Sequence, residues 1–146
     1  IASRYSEGVS GQKTTNVARG NDGIRIALGY IRSHITKKLT IDELCDNAGL
    51  SKYYFVREFK RIVGDTPVVY INKLRCENAK RLLEGELSVG DVAEKCGFES
   101  LSYFGKIFKR YTDNSKIQKG FTKNSYNLFN FFRNFFGNKK ALRLLS

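Results

Sequence analysis

From residue 22 to about residue 112, apolar side chains recur at spacings of three and four, the period of helices that each turn one face inward. The first such stripe, Ile24, Leu28, Ile31 and Ile35, predicts a helix over about 22–36, with Gly29 as a mild local weakness. A second long helix is predicted between two shorter pairs. Thr66 stands at its N-cap and Pro67 at its first position, where a missing N–H costs nothing, and it runs to about residue 84. No stretch alternates with a period of two, so the expected fold class is all-α.

The short pairs are copies of one design. Leu39, Thr40, Ile41, Leu44, Cys45, Ala48, Gly49 and Leu50 match Leu87, Ser88, Val89, Val92, Ala93, Cys96, Gly97 and Phe98 at an offset of 48. Beyond the glycine the second copy gains one residue: Tyr54, Phe55, Arg57, Phe59, Lys60 and Arg61 match Tyr103, Phe104, Lys106, Phe108, Lys109 and Arg110 at an offset of 49. The insertion falls in the turn, where extra length is best tolerated. Each copy therefore reads as a short helix opened by a Thr or Ser cap, a glycine turn in the left-handed conformation, and a second helix of about a dozen residues. That is the grammar of a helix-turn-helix unit. The chain divides into a linker-like opening (1–21), a first unit (22–65), the linker helix (66–84), a second unit (85–118) and a tail (119–146).

Each second helix has two faces. In the first copy Phe55, Phe59 and Ile62 are expected inward, while Tyr53, Val56, Arg57 and Lys60 share the opposite side. In the second, Phe104, Phe108 and Tyr111 form the inner set and Ser102, Gly105, Lys106 and Lys109 the outer. The aromatics read as scaffold. Tyr53, Val56 and Arg57 make an odd choice for a merely solvated face, whereas Lys73, Lys80 and Arg81 on the linker helix fit one. His34, at the end of the first helix, has no second histidine to pair with and reads as a packing residue.

Charge sharpens this picture. The formal net charge is +12 and the isoelectric point about 9.8, a surplus that attracts phosphate polymers before any specific contact forms. Residues 22–112 hold 16 Lys and Arg against 12 Asp and Glu, and half of the excess lies in residues 113–146. No apolar run approaches the roughly 18 residues of a membrane span, and no signal peptide is evident, so a cytoplasmic chain is expected, without a membrane partner. Cys45, Cys76 and Cys96 lie far apart, with no CxxC and no nearby His. They read as small buried hydrophobes rather than as a disulfide framework, a metal site or a nucleophile. Neither a metal nor a cofactor is called for, and the chain is not expected to be an enzyme.

The stretches GDTPVVYINKLRCENAKRLL (64–83) and VGDVAEKCGFESLSYFGKIFKRY (89–111) resemble the DNA-binding domain of AraC/XylS-type bacterial transcription regulators, over about residues 22–112. The resemblance implies two helix-turn-helix subdomains joined by a linker helix, set in successive major grooves of double-stranded DNA. It implies promoter binding by an activator that touches RNA polymerase, with any effector ligand held by a domain outside this chain. A linker helix of about 18 residues, at about 1.5 Å each, has a length comparable with the groove repeat of about 34 Å. Carried over by position, the base-contacting places fall on Tyr53, Val56 and Arg57, and on Leu101, Ser102, Gly105 and Lys106. The phosphate-contacting places fall on Ser51, Lys52, Lys60, Arg61, Lys109 and Arg110. The linker-helix arginine is Arg75, which could equally form a salt bridge with Glu77 or Glu43.

The end of the chain departs from the family pattern. Gly64, Thr66 and Pro67 of the first copy become Asp113, Ser115 and Lys116 in the second, and six of the 11 Phe residues lie beyond residue 119. The tail reads either as an altered reading of the gene or as an amphipathic helix around Phe131, Phe132, Phe135 and Phe136, with Lys139, Lys140 and Arg143 following. Rival readings of the chain are a DNA-repair alkyl acceptor or mobile-element fragment carrying an AraC-like segment, and a non-functional gene fragment. The alkyl acceptor needs an activated thiolate that these cysteines lack the neighbours to form.

Overall fold

The computed structural model describes residues 2–114, with side chains described for residues 17–112. The described residues form six helices in order: α1 (Ala2–Ser33), α2 (Ile41–Ala48), α3 (Lys52–Val63), α4 (Pro67–Leu83), α5 (Val89–Lys95) and α6 (Leu101–Asn114). Among the described residues there is no strand, and the all-α expectation holds. The tail, including Ser115 and the Phe-rich segment, lies outside the described residues.

The chain forms two compact units. Among the described residues, the first joins the chain up to His34 with Leu39–Tyr70; the second joins Ile35–Lys38 with the chain from Ile71 to residue 114. In the first, α1 packs on both α2 and α3, burying Ile24, Ala27 and Ile31 with Leu44, Cys45, Phe55 and Phe59. The rings of Phe55 and Phe59 lie 5.7 Å apart, and Tyr70 meets Phe59 edge-on at 5.6 Å. Ile62 departs from expectation: it is 40% exposed, because it falls in the last turn of α3 and the buried stripe covers only the turns before it. The second unit has its own core of Cys76, Ala79 and Leu83 from α4, Val92 and Ala93 from α5, Cys96 and Phe98 from the turn, and Phe104 and Phe108 from α6.

Helix α1 starts at Ala2 rather than near residue 22. The opening segment holds no proline, so nothing stops a helix nucleated by the packed stripe from propagating backwards. Gly20, in the segment read as a linker, and Gly23, in the predicted helix, are both contact points. A Cβ at Gly23 would stand 2.8 Å from the Ala48 carbonyl oxygen and 2.9 Å from a Leu50 methyl; glycine is what lets α1 approach the turn of the first unit.

The turns match between copies. Thr40 Oγ1 accepts from the Glu43 N–H at 3.2 Å and Ser88 Oγ from the Asp91 N–H at 3.1 Å, so both short helices carry the expected N-cap. Acidic residues in the first turns, Asp42 and Glu43 in α2 and Asp91 in α5, add favourable charge at the positive helix end. At the far ends Gly49 has φ 66° and Gly97 φ 90°. The following N–H reaches back five residues in each case, Leu50 to Cys45 at 3.1 Å and Phe98 to Ala93 at 3.0 Å, which satisfies the last carbonyls. Thr66 Oγ1 accepts from the Val69 N–H at 3.4 Å, opening α4 as expected.

Candidate nucleic-acid interface

The glycine turns determine what α3 and α6 present. Phe55 and Phe59, and Phe104 and Phe108, are fully buried, so the opposite side of each helix is turned to solvent. On α3, Ser51, Lys52, Tyr53, Arg57, Lys60 and Arg61 are exposed and Val56 is half-buried. Tyr53 is 77% exposed, an unusual fraction for an aromatic ring. The Arg57 guanidinium lies 5.7 Å from the Tyr53 ring centre and 5.3 Å from that of Tyr54, within range of a cation–π attraction. Lys52 pairs with Asp42 at 3.1 Å, with both side chains largely in water. Such a pair is weak and readily exchanged for another anion. Ser51 starts α3 without a side-chain capping bond.

On α6, Leu101, Ser102, Lys106 and Arg110 are exposed and Lys109 is half-buried. Ser100 caps this helix, its Oγ accepting from the Tyr103 N–H at 3.1 Å. Gly105, expected on the base-contacting face, is buried. Buried and without a side chain, it presents little surface on that face, where Leu101, Ser102 and Lys106 are exposed.

Two arginines make contacts that the sequence did not indicate. Arg61, placed by the resemblance among the phosphate contacts, is already engaged: its Nε and Nη2 donate to Glu58 Oε2 at 2.8 and 2.7 Å, and Nη2 also donates to Asn21 Oδ1 at 3.3 Å. The hydrogen bond to Glu58 pushes its pKa up. Arg75 pairs with neither Glu77 nor Glu43. It is buried, donating from Nε to the Ile35 carbonyl at 2.9 Å and from Nη2 to the Lys37 carbonyl at 2.8 Å, and its guanidinium lies 5.9 Å from the Phe98 ring centre. Burial pulls its pKa down, against the opposing influence of Tyr103 and Glu99. Arg75 is thus a clamp on residues 35–38 inside the second unit.

Sequence reasoning missed Glu58, Asn72 and Tyr103. Glu58 is a buried carboxylate on α3, for which its position three residues before Arg61 was a usable signal. Asn72 Nδ2 donates to Tyr103 Oη at 3.0 Å; no spacing rule indicates that pair. His34 stacks on Tyr30 at 4.0 Å, its Nδ1 within 2.8 Å of Ser33 Oγ, the packing role expected. Cys45, Cys76 and Cys96 are free and buried. Burial raises all three thiols, Cys76 to about 12. Among the described residues no group of three or more acidic, His or Cys side chains could hold a metal ion, and no helix is long and apolar enough to cross a membrane.

Residues 44–115 match the family model described as "Helix-turn-helix domain". The xylose operon regulatory protein of Escherichia coli is 35% identical over 88 residues, 60% of this chain and 22% of that protein. The HTH-type transcriptional activator RhaS of Escherichia coli is 31% identical over 96 residues, 65% of this chain and 34% of that protein. The chain thus spans about a fifth to a third of the length of these relatives. Among solved structures, the DNA-binding domain of the global transcriptional factor AdpA, in complex with a target DNA, superposes with a TM-score of 0.60 at 26% identity, over 77% of this chain and 95% of that one. The C-terminal domain of AraT, a response regulator from Geobacillus stearothermophilus, gives 0.60 at 28% identity, over 73% and 84%.

Proposed function

We propose that this chain, similar over residues 44–115 to a helix-turn-helix domain family and over most of its described length to AraC-type DNA-binding regulators, is the promoter-reading part of a bacterial transcription regulator and acts at the nucleoid in the cytoplasm. One observation carries the reading: a capped short helix, a left-handed glycine and a second helix with an exposed basic outer face occur twice in one chain. Lys52, Lys60, Lys109 and Arg110 anchor phosphates, and sequence is read in the major groove chiefly by Tyr53, Val56 and Arg57. Arg57 has the forked geometry for a guanine edge, and Tyr53 with Val56 offers apolar contact to a thymine methyl. Leu101, Ser102 and Lys106 occupy the second groove and hold more than they choose, since a lysine grips phosphate as readily as a base. Activation through RNA polymerase is the reading that the activator among the relatives supports. The buried, raised thiols favour a binding protein over an alkyl-acceptor enzyme, which needs a thiolate.

A gel-shift titration with a random duplex pool, at low and at moderate salt, tests this. The expected result is a fall in affinity of several orders of magnitude with salt, through counterion release, and enrichment of one sequence class on repeated selection. A flat salt profile, or a pool that stays random, refutes it.

A further inference from the structure

Glu58 lies on α3 between the base-facing Arg57 and the phosphate-facing Lys60, yet it is only 6% exposed. A carboxylate taken out of water needs charged or hydrogen-bonding partners, and its two oxygens divide them. Oε2 takes both Arg61 donors, at 2.7 and 2.8 Å, while Oε1 stands 3.9 Å from Arg57 Nε. The cover comes from α1. A Cβ on Gly20 would lie 3.4 Å from Glu58 Oε2 and 3.1 Å from the Tyr54 hydroxyl, and Asn21 accepts from the same Arg61. One buried acid is therefore wired to two arginines of the helix that faces the groove. Arg61, itself 51% exposed, has two of its nitrogens held by the protein. The other stays 58% exposed beside two tyrosine rings.

We propose that Glu58 is a positioning residue that sets the specificity of the DNA interface, by withholding Arg61 from the phosphate backbone and steering Arg57 toward its base. The inference rests on the DNA-binding reading above. Specificity is the ratio of affinity for the preferred site to affinity for all other sequence. An arginine on phosphate strengthens both equally and adds only salt-sensitive, indiscriminate grip. Pairing Arg61 internally removes that contribution while leaving Arg57 to discriminate. Because the carboxylate is buried, salt in the medium screens the arrangement far less than it screens a surface pair.

The test uses the full chain with two probes, a random duplex pool and the duplex it selects best, over a range of salt. Arg61→Ala should leave the salt slope on the random pool unchanged. Glu58→Gln should steepen it by about 0.9, the contribution of one further phosphate, tighten random binding several-fold, and relax selection at the base pair read by Arg57. The double variant should return the slope to that of the parent protein. The proposal is overturned if Arg61→Ala flattens the slope by about one phosphate, or if Glu58→Gln moves neither slope nor selection. Should Glu58→Gln lose its helical circular dichroism, Arg61→Ala decides alone, an unchanged slope supporting the proposal and a flattened one overturning it. A parent protein without salt dependence on either probe would instead overturn the DNA-binding reading on which the proposal stands.

Discussion

Gly49 and Gly97 hold equivalent places in the two units, and substituting alanine at each separates conformational strain from collision. Both glycines have positive φ, 66° and 90°, where a Cβ costs about 1–2 kcal/mol. Alanine also reduces the freedom of the unfolded chain, which offsets about 0.4–1 kcal/mol of that. At Gly49 nothing lies within 4 Å of the added Cβ, so strain alone remains and Gly49→Ala should destabilise by about 1 kcal/mol. At Gly97 the Cβ would stand 2.7 Å from the Ile35 carbonyl oxygen and 3.0 Å from the Thr36 Cα. These are backbone atoms, and Arg75 already holds that carbonyl, so neither can move cheaply. Overpacking of this kind adds about 1–3 kcal/mol, and Gly97→Ala should cost about 2–4 kcal/mol in all. Urea denaturation followed by circular dichroism measures both. Equal losses would refute the reasoning, since they would mean that the close approach of residues 35–36 carries no weight.

Other consequences follow from the same geometry. Arg75→Ala should destabilise by about 2–4 kcal/mol, because both hydrogen bonds from its buried guanidinium to the backbone of residues 35 and 37 are lost, and Arg75→Lys should recover little, since an ammonium cannot reproduce the fork; a loss below about 0.5 kcal/mol in urea would count against the clamp. The Cys76 thiol, raised by burial from 9.0 to about 12, should resist iodoacetamide at pH 8 in the native protein and react once urea unfolds it. Its folded pKa lies above the unfolded one, so its contribution to stability is complete below about pH 9 and is lost as pH rises toward 12. A thermal midpoint that rises over that window would contradict the assignment.

Much of the fold was legible because it is built from local devices. Thr40, Ser88 and Thr66 cap where the sequence places them, and Gly49 and Gly97 take the left-handed turn. What failed depended on neighbours far along the chain. Gly20 looks like a linker residue, and Gly23 like an ordinary helix position, until α3 and the turn after α2 are laid against them. Gly105 falls on the outer face by periodicity but is buried. Arg75 sits 38 and 40 residues from its acceptors, and both are backbone carbonyls, which no pattern of side chains reveals. The candidate site was legible in part: Tyr53, Arg57 and Lys106 are exposed on the expected helices, whereas the pairing of Arg61 depends on a buried acid covered from α1.

Selection from random duplexes with the parent chain, Arg57→Ala and Lys106→Ala tests the central claim most directly. Arg57→Ala should cost about 1–3 kcal/mol on the preferred site and relax choice at one base pair, while Lys106→Ala should weaken all sequences alike and reduce the salt slope by about one unit. If Lys106→Ala alters the selected sequence and Arg57→Ala does not, the roles of reader and anchor are reversed; if the parent chain selects nothing, the chain is not a reader of DNA sequence.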